Sequence, residues 1–115
     1  MDETKNELMK RIPVMNGNPR AKQLLEVWPR KVQFELDGEA PFYINIEKGT
    51  ITGSDGSIQN PDIIMTGNSP IIARVIRGEV DITHPLAHGE LVVRKGKVKD
   101  LLTFSRVLAI IKKDK

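Results

Sequence analysis

The chain has 115 residues, with 18 Lys and Arg against 15 Asp and Glu, a formal net charge of +3. That length makes one domain with a usable core, and so mild a charge disfavours nucleic acid while allowing attraction to an anionic membrane surface or an acidic ligand. The absence of cysteine excludes disulfides, thiol catalysis and zinc–thiolate sites. No signal-like pattern opens the chain and no apolar run approaches the ~18 residues of a membrane span, so a soluble intracellular protein is expected.

The first elements read as helices. Leu8, Met9, Ile12, Val14 and Met15 recur at loosely helical spacing, which predicts a helix from about Glu3 to Lys10 that ends before Pro13. Asn16-Gly17-Asn18 is a break. Asn18 then caps a second helix with Pro19 at its first position, running to about Val27 ahead of Pro29. Its apolar side is Ala21, Leu24, Leu25 and Trp28, suited to packing on a sheet.

Strands follow. Lys31 to Asp37 alternates with Val32, Phe34 and Leu36 on one face, and Phe42 to Glu47 with Phe42, Ile44 and Ile46 inward. Tyr43, Asn45 and Glu47 form the outward set, so this sheet has one wet face. Lys48-Gly49 turns, Thr50 to Gly53 is a short strand, Ser54-Asp55-Gly56 turns again, and Ile58 to Thr66 completes a meander.

From Thr66 to Gly96 the chain reads as a capped helix, a second helical turn and a strand. Ser69 serves as N-cap, Pro70 takes the first helical position and Gly78 supplies a left-handed stop. Ile71, Ile72, Val75 and Ile76 make one face of this helix aliphatic. A helix so short does not hold itself together in water, so its stripe must cover something. Pro85 starts the second turn and Gly89 stops it. Leu91 and Val93 then alternate in a strand from Glu90 to Arg94.

A last helix follows Lys95-Gly96-Lys97 and ends near Lys112. At about 100° per residue, Val98, Leu101, Leu102, Phe104, Val107, Leu108 and Ile111 fill roughly 220° of its circumference. A surface helix needs a stripe of ~100°. Ile110 lies outside even that arc, among Lys99, Thr103 and Arg106. The excess must face a cavity, a second subunit or a membrane.

Motifs for covalent chemistry are weak. His84 and His88 stand i, i+4, with Asp81 and Glu90 near. Pro85, however, occupies the place where a zincin carries glutamate, so a cap at His84 and a surface or helix-end position at His88 are expected. A small metal-dependent enzyme at His84, His88 and Asp81 is kept as an alternative. The glycine-rich run Gly49 to Gly56 lacks the Gly-Lys-Ser/Thr of a phosphate loop, and no serine has a nucleophile-elbow context. Arg94, Lys95, Lys97, Lys99, Lys112, Lys113 and Lys115 give the last strand and helix a basic edge. It reads either as a solvated face with cations at a helix C-terminus or as a dock for an anionic bilayer or phosphate headgroup. No aromatic is interleaved there for base stacking.

Val-Gln-Phe-Glu-Leu-Asp-Gly at 32–38 and Phe-Tyr-Ile-Asn-Ile-Glu-Lys-Gly at 42–49 are followed by Asp62 to Gly67 and the helix ending at Gly78. Next comes the run from Ala87 through Gly89 to Gly96, leading into the amphipathic last helix. In this order and spacing the chain resembles the sterol carrier protein type 2 (nonspecific lipid-transfer) family over roughly residues 23–112. The resemblance implies an α+β fold, a five-stranded mainly antiparallel sheet covered on one face by helices, with an apolar tunnel between the layers. It also implies a non-catalytic carrier of acyl, isoprenoid or sterol-like chains, without a cofactor or bound metal. Phe34, Leu36, Ile44, Ile46, Leu91 and Val93 would be the tunnel floor. Ile72, Val75, Ile76, Leu101, Phe104 and Leu108 would be its roof. The final Lys113-Asp114-Lys115 lacks the peroxisomal address of eukaryotic members, so cytoplasm is expected. The last helix also leaves only a short segment to close such a tunnel.

A dry pocket of ~400 Å³ would cost on the order of 10 kcal/mol at ~24 cal/mol per Å³, as much as a typical domain's stability. Such a cavity is filled by lipid, wetted or collapsed. The sequence therefore predicts one lipid-binding domain over residues 1–115, with a lipid or fatty acyl ligand, transient contact with an anionic membrane and no nucleic-acid partner. A homodimeric interaction module built on residues 98–111 is the other alternative.

Overall fold

Burial of alternate strand residues against amphipathic helices organises the chain, seen here in a computed structural model that describes residues 3–113. The order is α1 (Glu3–Gly17), α2 (Pro19–Glu26), β1 (Arg30–Asp37), β2 (Phe42–Glu47), β3 (Thr50–Asp55), β4 (Ile63–Asn68), α3 (Ser69–Ile76), α4 (Thr83–Ala87), β5 (Leu91–Lys95) and α5 (Val98–Lys113). The five strands form one sheet in the order β3-β2-β1-β4-β5. β1–β2, β2–β3 and β4–β5 pair antiparallel and β1–β4 parallel, so the expected α+β architecture with a mainly antiparallel sheet is what the chain forms.

The parallel pair corrects the predicted meander. After β3 the chain does not turn back beside it; residues 56–62 cross to the far side of β1. Gln33 explains how. It points away from the face of Val32 and Phe34, yet it is buried. Its amide donates to the carbonyls of Phe42 (3.2 Å) and Gly56 (3.1 Å) and accepts from the Ile58 N–H (2.9 Å). The crossing ends where Asp62 exchanges two 2.8 Å bonds with the Lys31 backbone. One glutamine thus straps the connection onto the face the helices leave open.

The helices take the other face. α2 begins as predicted, with the Asn18 side chain accepting from the N–H groups of Arg20 and Ala21 and Pro19 in the first turn. α1 does not stop before Pro13; it continues to Gly17. A proline there removes the bond to the residue-9 carbonyl and its ring crowds that oxygen, and tertiary contacts outweigh that loss. Leu8 and Met15 are fully buried on either side of it. Beyond them Asn16 exchanges two 2.9 Å hydrogen bonds with the Ile51 backbone. The Asn16 amide thereby stands in for a sixth strand on the β3 edge, covering groups that would otherwise invite pairing.

At the centre, Phe34 and Phe42 are register partners whose rings stack at 4.6 Å and 7°, and Phe104 of α5 tilts onto Phe34 at 6.5 Å. Trp28 closes one end by donating to the buried Asp100 carboxylate (3.1 Å), which Arg30 approaches at 3.4 Å.

Candidate functional site

Of the twelve residues expected to line a tunnel, all but Val93 are buried, and Val93 is half-buried. They bury one another. Phe34, Ile44 and Leu101 expose nothing and Ile46 only 2%, so these four are shut off from solvent. The three phenylalanine rings and the branched aliphatics belong to one continuous hydrophobic core.

Open volume lies instead along the helix seams. One notch, of about 190 Å³, is bounded by Lys10, Arg11 and Val14 of α1, Ile76 and Arg77 at the end of α3, and Leu108, Ile111 and Lys112 of α5. A second, of about 240 Å³, is bounded by Val75, Gly78, Val80, Ser105, Ala109, the carboxylates of Glu79 and Asp81, and again Leu108 and Lys112. Leu108 and Lys112 are therefore a shared partition. The expected roof residues Val75, Ile76 and Leu108 each touch a notch, and the floor residues touch neither.

Local structure sets this partition. α3 starts from Asn68, whose side chain accepts from the Ile71 N–H at 3.2 Å. Ser69, expected to cap, is instead buried and donates to Glu39, while the Thr4 hydroxyl donates to its carbonyl at 2.9 Å. The helix ends as predicted at Gly78 (φ +79°), with Gly78 N–H to the Val75 carbonyl and Glu79 N–H to the Arg74 carbonyl, a Schellman stop. A Cβ on Gly78 would lie 2.6 Å from the Lys112 stem. That close approach lets the Lys112 ammonium reach the Gly78 carbonyl at 2.5 Å, a cation resting on a helix C-terminus.

The rim of the first notch is charged. Arg11 pairs with Glu7 at 2.7 Å, and Arg77 reaches Glu79 (2.8 Å), Glu3 (3.2 Å) and Glu7 (3.3 Å). Arg11 holds the Glu7 carboxyl below its usual range, Arg77 does the same for Glu79, and these carboxylates, Glu79 foremost, raise the Arg77 guanidinium further. Lys10 is mostly exposed, 3.5 Å from Glu7. Sequence reasoning missed Lys10, Arg11, Val14, Arg77, Ile111 and Lys112 as a group. The signal was the Lys10/Arg11–Val14 spacing on a helix that had been read as ending at Lys10.

The rings of His84 and His88 lie 4.5 Å apart, tilted by 46°, and among the described residues no three His, Cys, Asp or Glu side chains are grouped to hold an ion. His84 is not the cap of α4. Asp81 holds that turn by accepting from the Thr83 N–H (2.9 Å) and hydroxyl (2.6 Å), which lowers its carboxyl pKa. On the basic edge, Arg94 pairs with Glu35 at 2.5 Å, while Lys95, Lys97 and Lys99 are exposed; Lys115 lies outside the described residues. Among the described residues no helix is long and apolar enough to cross a membrane.

No family model and no curated relative matches the sequence. Solved structures do match in shape. Sterol carrier protein domain 2 of Helicoverpa armigera aligns at TM-score 0.78 and 13% identity over 96% of this chain and 89% of its own. A ubiquinone synthesis protein described as UbiJ-SCP2 aligns at 0.75 and 12% over 96% and 91%. Palmitated SCP2L2 from Aedes aegypti aligns at 0.67 and 12% over 94% and 93%. The fold is that of sterol carrier protein 2.

Proposed function

We propose that the protein is a non-catalytic carrier that takes up a single apolar chain, acyl or isoprenoid, beneath α5. The observation that carries this reading is the partition. Two notches of about 190 and 240 Å³ share Leu108 and Lys112 as a common wall. Each alone is below the ~300 Å³ at which ligand sites begin, and joined they would fall within that range. The apolar part of the other walls is Val14, Val75, Ile76, Val80 and Ile111, aliphatic side chains that grip a flexible tail by dispersion and apolar burial without demanding one shape. The palmitate of the Aedes protein and the ubiquinone pathway of the UbiJ-SCP2 protein belong to those proteins; on the shared fold they support the class of ligand proposed here.

Uptake on this reading moves α5. Leu108 and Lys112 swing away from Gly78, the two notches merge, and the tail replaces the contacts they lose. Native mass spectrometry of freshly purified protein with lipid extraction, followed by displacement of a fluorescent fatty acid, tests it. The expected result is one bound amphiphile per chain. A ligand-free mass together with no displacement would sink the carrier reading.

A further inference from the structure

Apart from Lys112, the basic edge is not used by the carrier site, and its charge is unevenly placed. Between Arg94 and Lys113 lie seven Lys and Arg against one acid, Asp100, leaving 11 basic and 14 acidic residues in the rest of the chain. Asp100 is turned inward to Trp28. The positive excess of the molecule therefore sits wholly on this segment. On α5, Val98, Leu102 and Ala109 share one outward strip at helical spacing, and Val98 and Leu102 are 51% and 43% exposed. Lys99, Arg106 and Lys113 stand beside that strip, all exposed. Toward α2 the same face continues into a shallow seam of Leu24, Val27 and Ile110 flanked by Arg20 and Arg106, where Val27 is 76% exposed.

We propose that this outward face of α5, with its seam against α2, docks on an anionic lipid bilayer. Charge and apolarity together choose the occupant. Small aliphatic side chains between lysines and arginines suit the headgroup boundary, where stems and valines enter and cations meet phosphate and carboxylate. A second copy of the chain would bring the same cations against these. A polynucleotide would leave the aliphatics uncovered and find no aromatic to stack on. The inference rests on the carrier reading for its purpose. Ala109 also lines the second notch, so docking would turn one mouth of the carrier site to the membrane from which a tail is taken.

Flotation with phosphatidylcholine vesicles containing phosphatidylserine, against pure phosphatidylcholine, tests the face. The expected result is binding to the anionic vesicles that weakens with salt. The Lys99→Gln/Arg106→Gln variant should lose about fivefold per charge removed, roughly 25-fold in all. Lys31→Gln/Lys48→Gln, an equal charge loss at exposed positions elsewhere, should stay within twofold of wild type. Val98→Ser/Leu102→Ser should bind more weakly with every charge retained. Equal losses in both charge variants, equal binding to neutral vesicles, or tighter binding to a 20-base-pair duplex than to vesicles would overturn the proposal. So would a dimer in size-exclusion chromatography that Leu102→Asp dissolves. Fatty-acid displacement in vesicle-free buffer is measured alongside. Displacement failing while vesicle binding persists removes the carrier reading alone.

Discussion

The interior around Phe34 and the seam around Leu108 are both lined by buried apolar side chains, yet they differ in what closes them. Phe34 is sealed by Phe42, its stacked partner on a strand whose register the sheet fixes, with Phe104 of α5 tilted onto it. Leu108 faces a notch on either side, and its partition ends in one lysine resting on a helix terminus. Burial alone does not distinguish a core from a site, since Leu108 is only 6% exposed. What distinguishes them is that Phe34 has a ring of the sheet stacked on it, while Leu108 has open volume on both sides.

The strongest way to break this contrast is at its closed end. Phe34→Ala should cost about 3–5 kcal/mol in urea unfolding, the value for a buried aromatic whose surroundings do not collapse. Ligand affinity measured on the folded fraction should change little. If the variant keeps its stability but loses its ligand, the closed interior is the site and the contrast is inverted.

Glu39 comes next. Burial pushes its carboxyl up, but hydrogen bonds from Ser69, Thr4 and the Lys5 and Thr4 backbone outweigh this and hold it below the ordinary 4.5. It joins the start of α1 to the start of α3, the two helices that frame the first notch. Because the folded-state value is depressed, the native state binds the proton less readily than the unfolded chain. The contribution is thus complete above about pH 4.5 and lost as pH falls through the lower folded value. Glu39→Gln should cost about 2 kcal/mol at pH 7, as for a hydrogen-bonded charge, and flatten the acid limb of a thermal-melt series. An unchanged acid limb would show that the latch plays no part in holding α1 to α3.

Most of the fold was legible because its signals are local. The period-two runs of β1 and β2, the Asn18-Pro19 start and the Gly78 stop each need only neighbouring residues to be read. What failed to be read depended on distant partners. Pro13 ends a helix in isolation and does not end α1, because Leu8 and Met15 are buried and Asn16 finds Ile51. Ser69 is a good cap by type, but Thr4 and Glu39 engage it, and Asn68 caps instead. Gln33 looked like an outward polar residue until the crossing strand connection placed Gly56 and Ile58 over it. The site was half legible for the same reason. Helical periodicity identified Val75, Ile76 and Leu108 as apolar cover. The cationic rim needed α1 to extend past Pro13 before Lys10, Arg11 and Val14 could face Arg77.

The seam can be probed by filling it. In the closed interior, added volume costs about 1–3 kcal/mol through strain. Leu108→Trp places an indole where two notches meet, so its stability cost should stay below about 1 kcal/mol. Fatty-acid affinity should fall at least tenfold, about 1.4 kcal/mol. A cost like that of core overpacking with affinity intact would show that the seam is packed as tightly as the interior and holds no ligand.

The smallest effect concerns the lysine on the partition. Lys112→Met keeps the stem that lies on Gly78 but removes the ammonium that reaches its carbonyl. Stability should drop by only about 0.5 kcal/mol, as expected for one partly exposed cation at a helix C-terminus. Kinetics are the more informative measure, because opening of the partition precedes uptake on the mechanism proposed. Association of a fluorescent fatty acid should accelerate two- to threefold while its dissociation stays nearly unchanged, so that affinity rises by the same factor. A latch made only in the closed, empty state raises the barrier to opening by the energy of its bond, and removing it returns that energy to uptake alone, because the loaded state has already lost the bond. Rates identical to wild type would mean that the tail enters without displacing Lys112, leaving each notch a separate and smaller site.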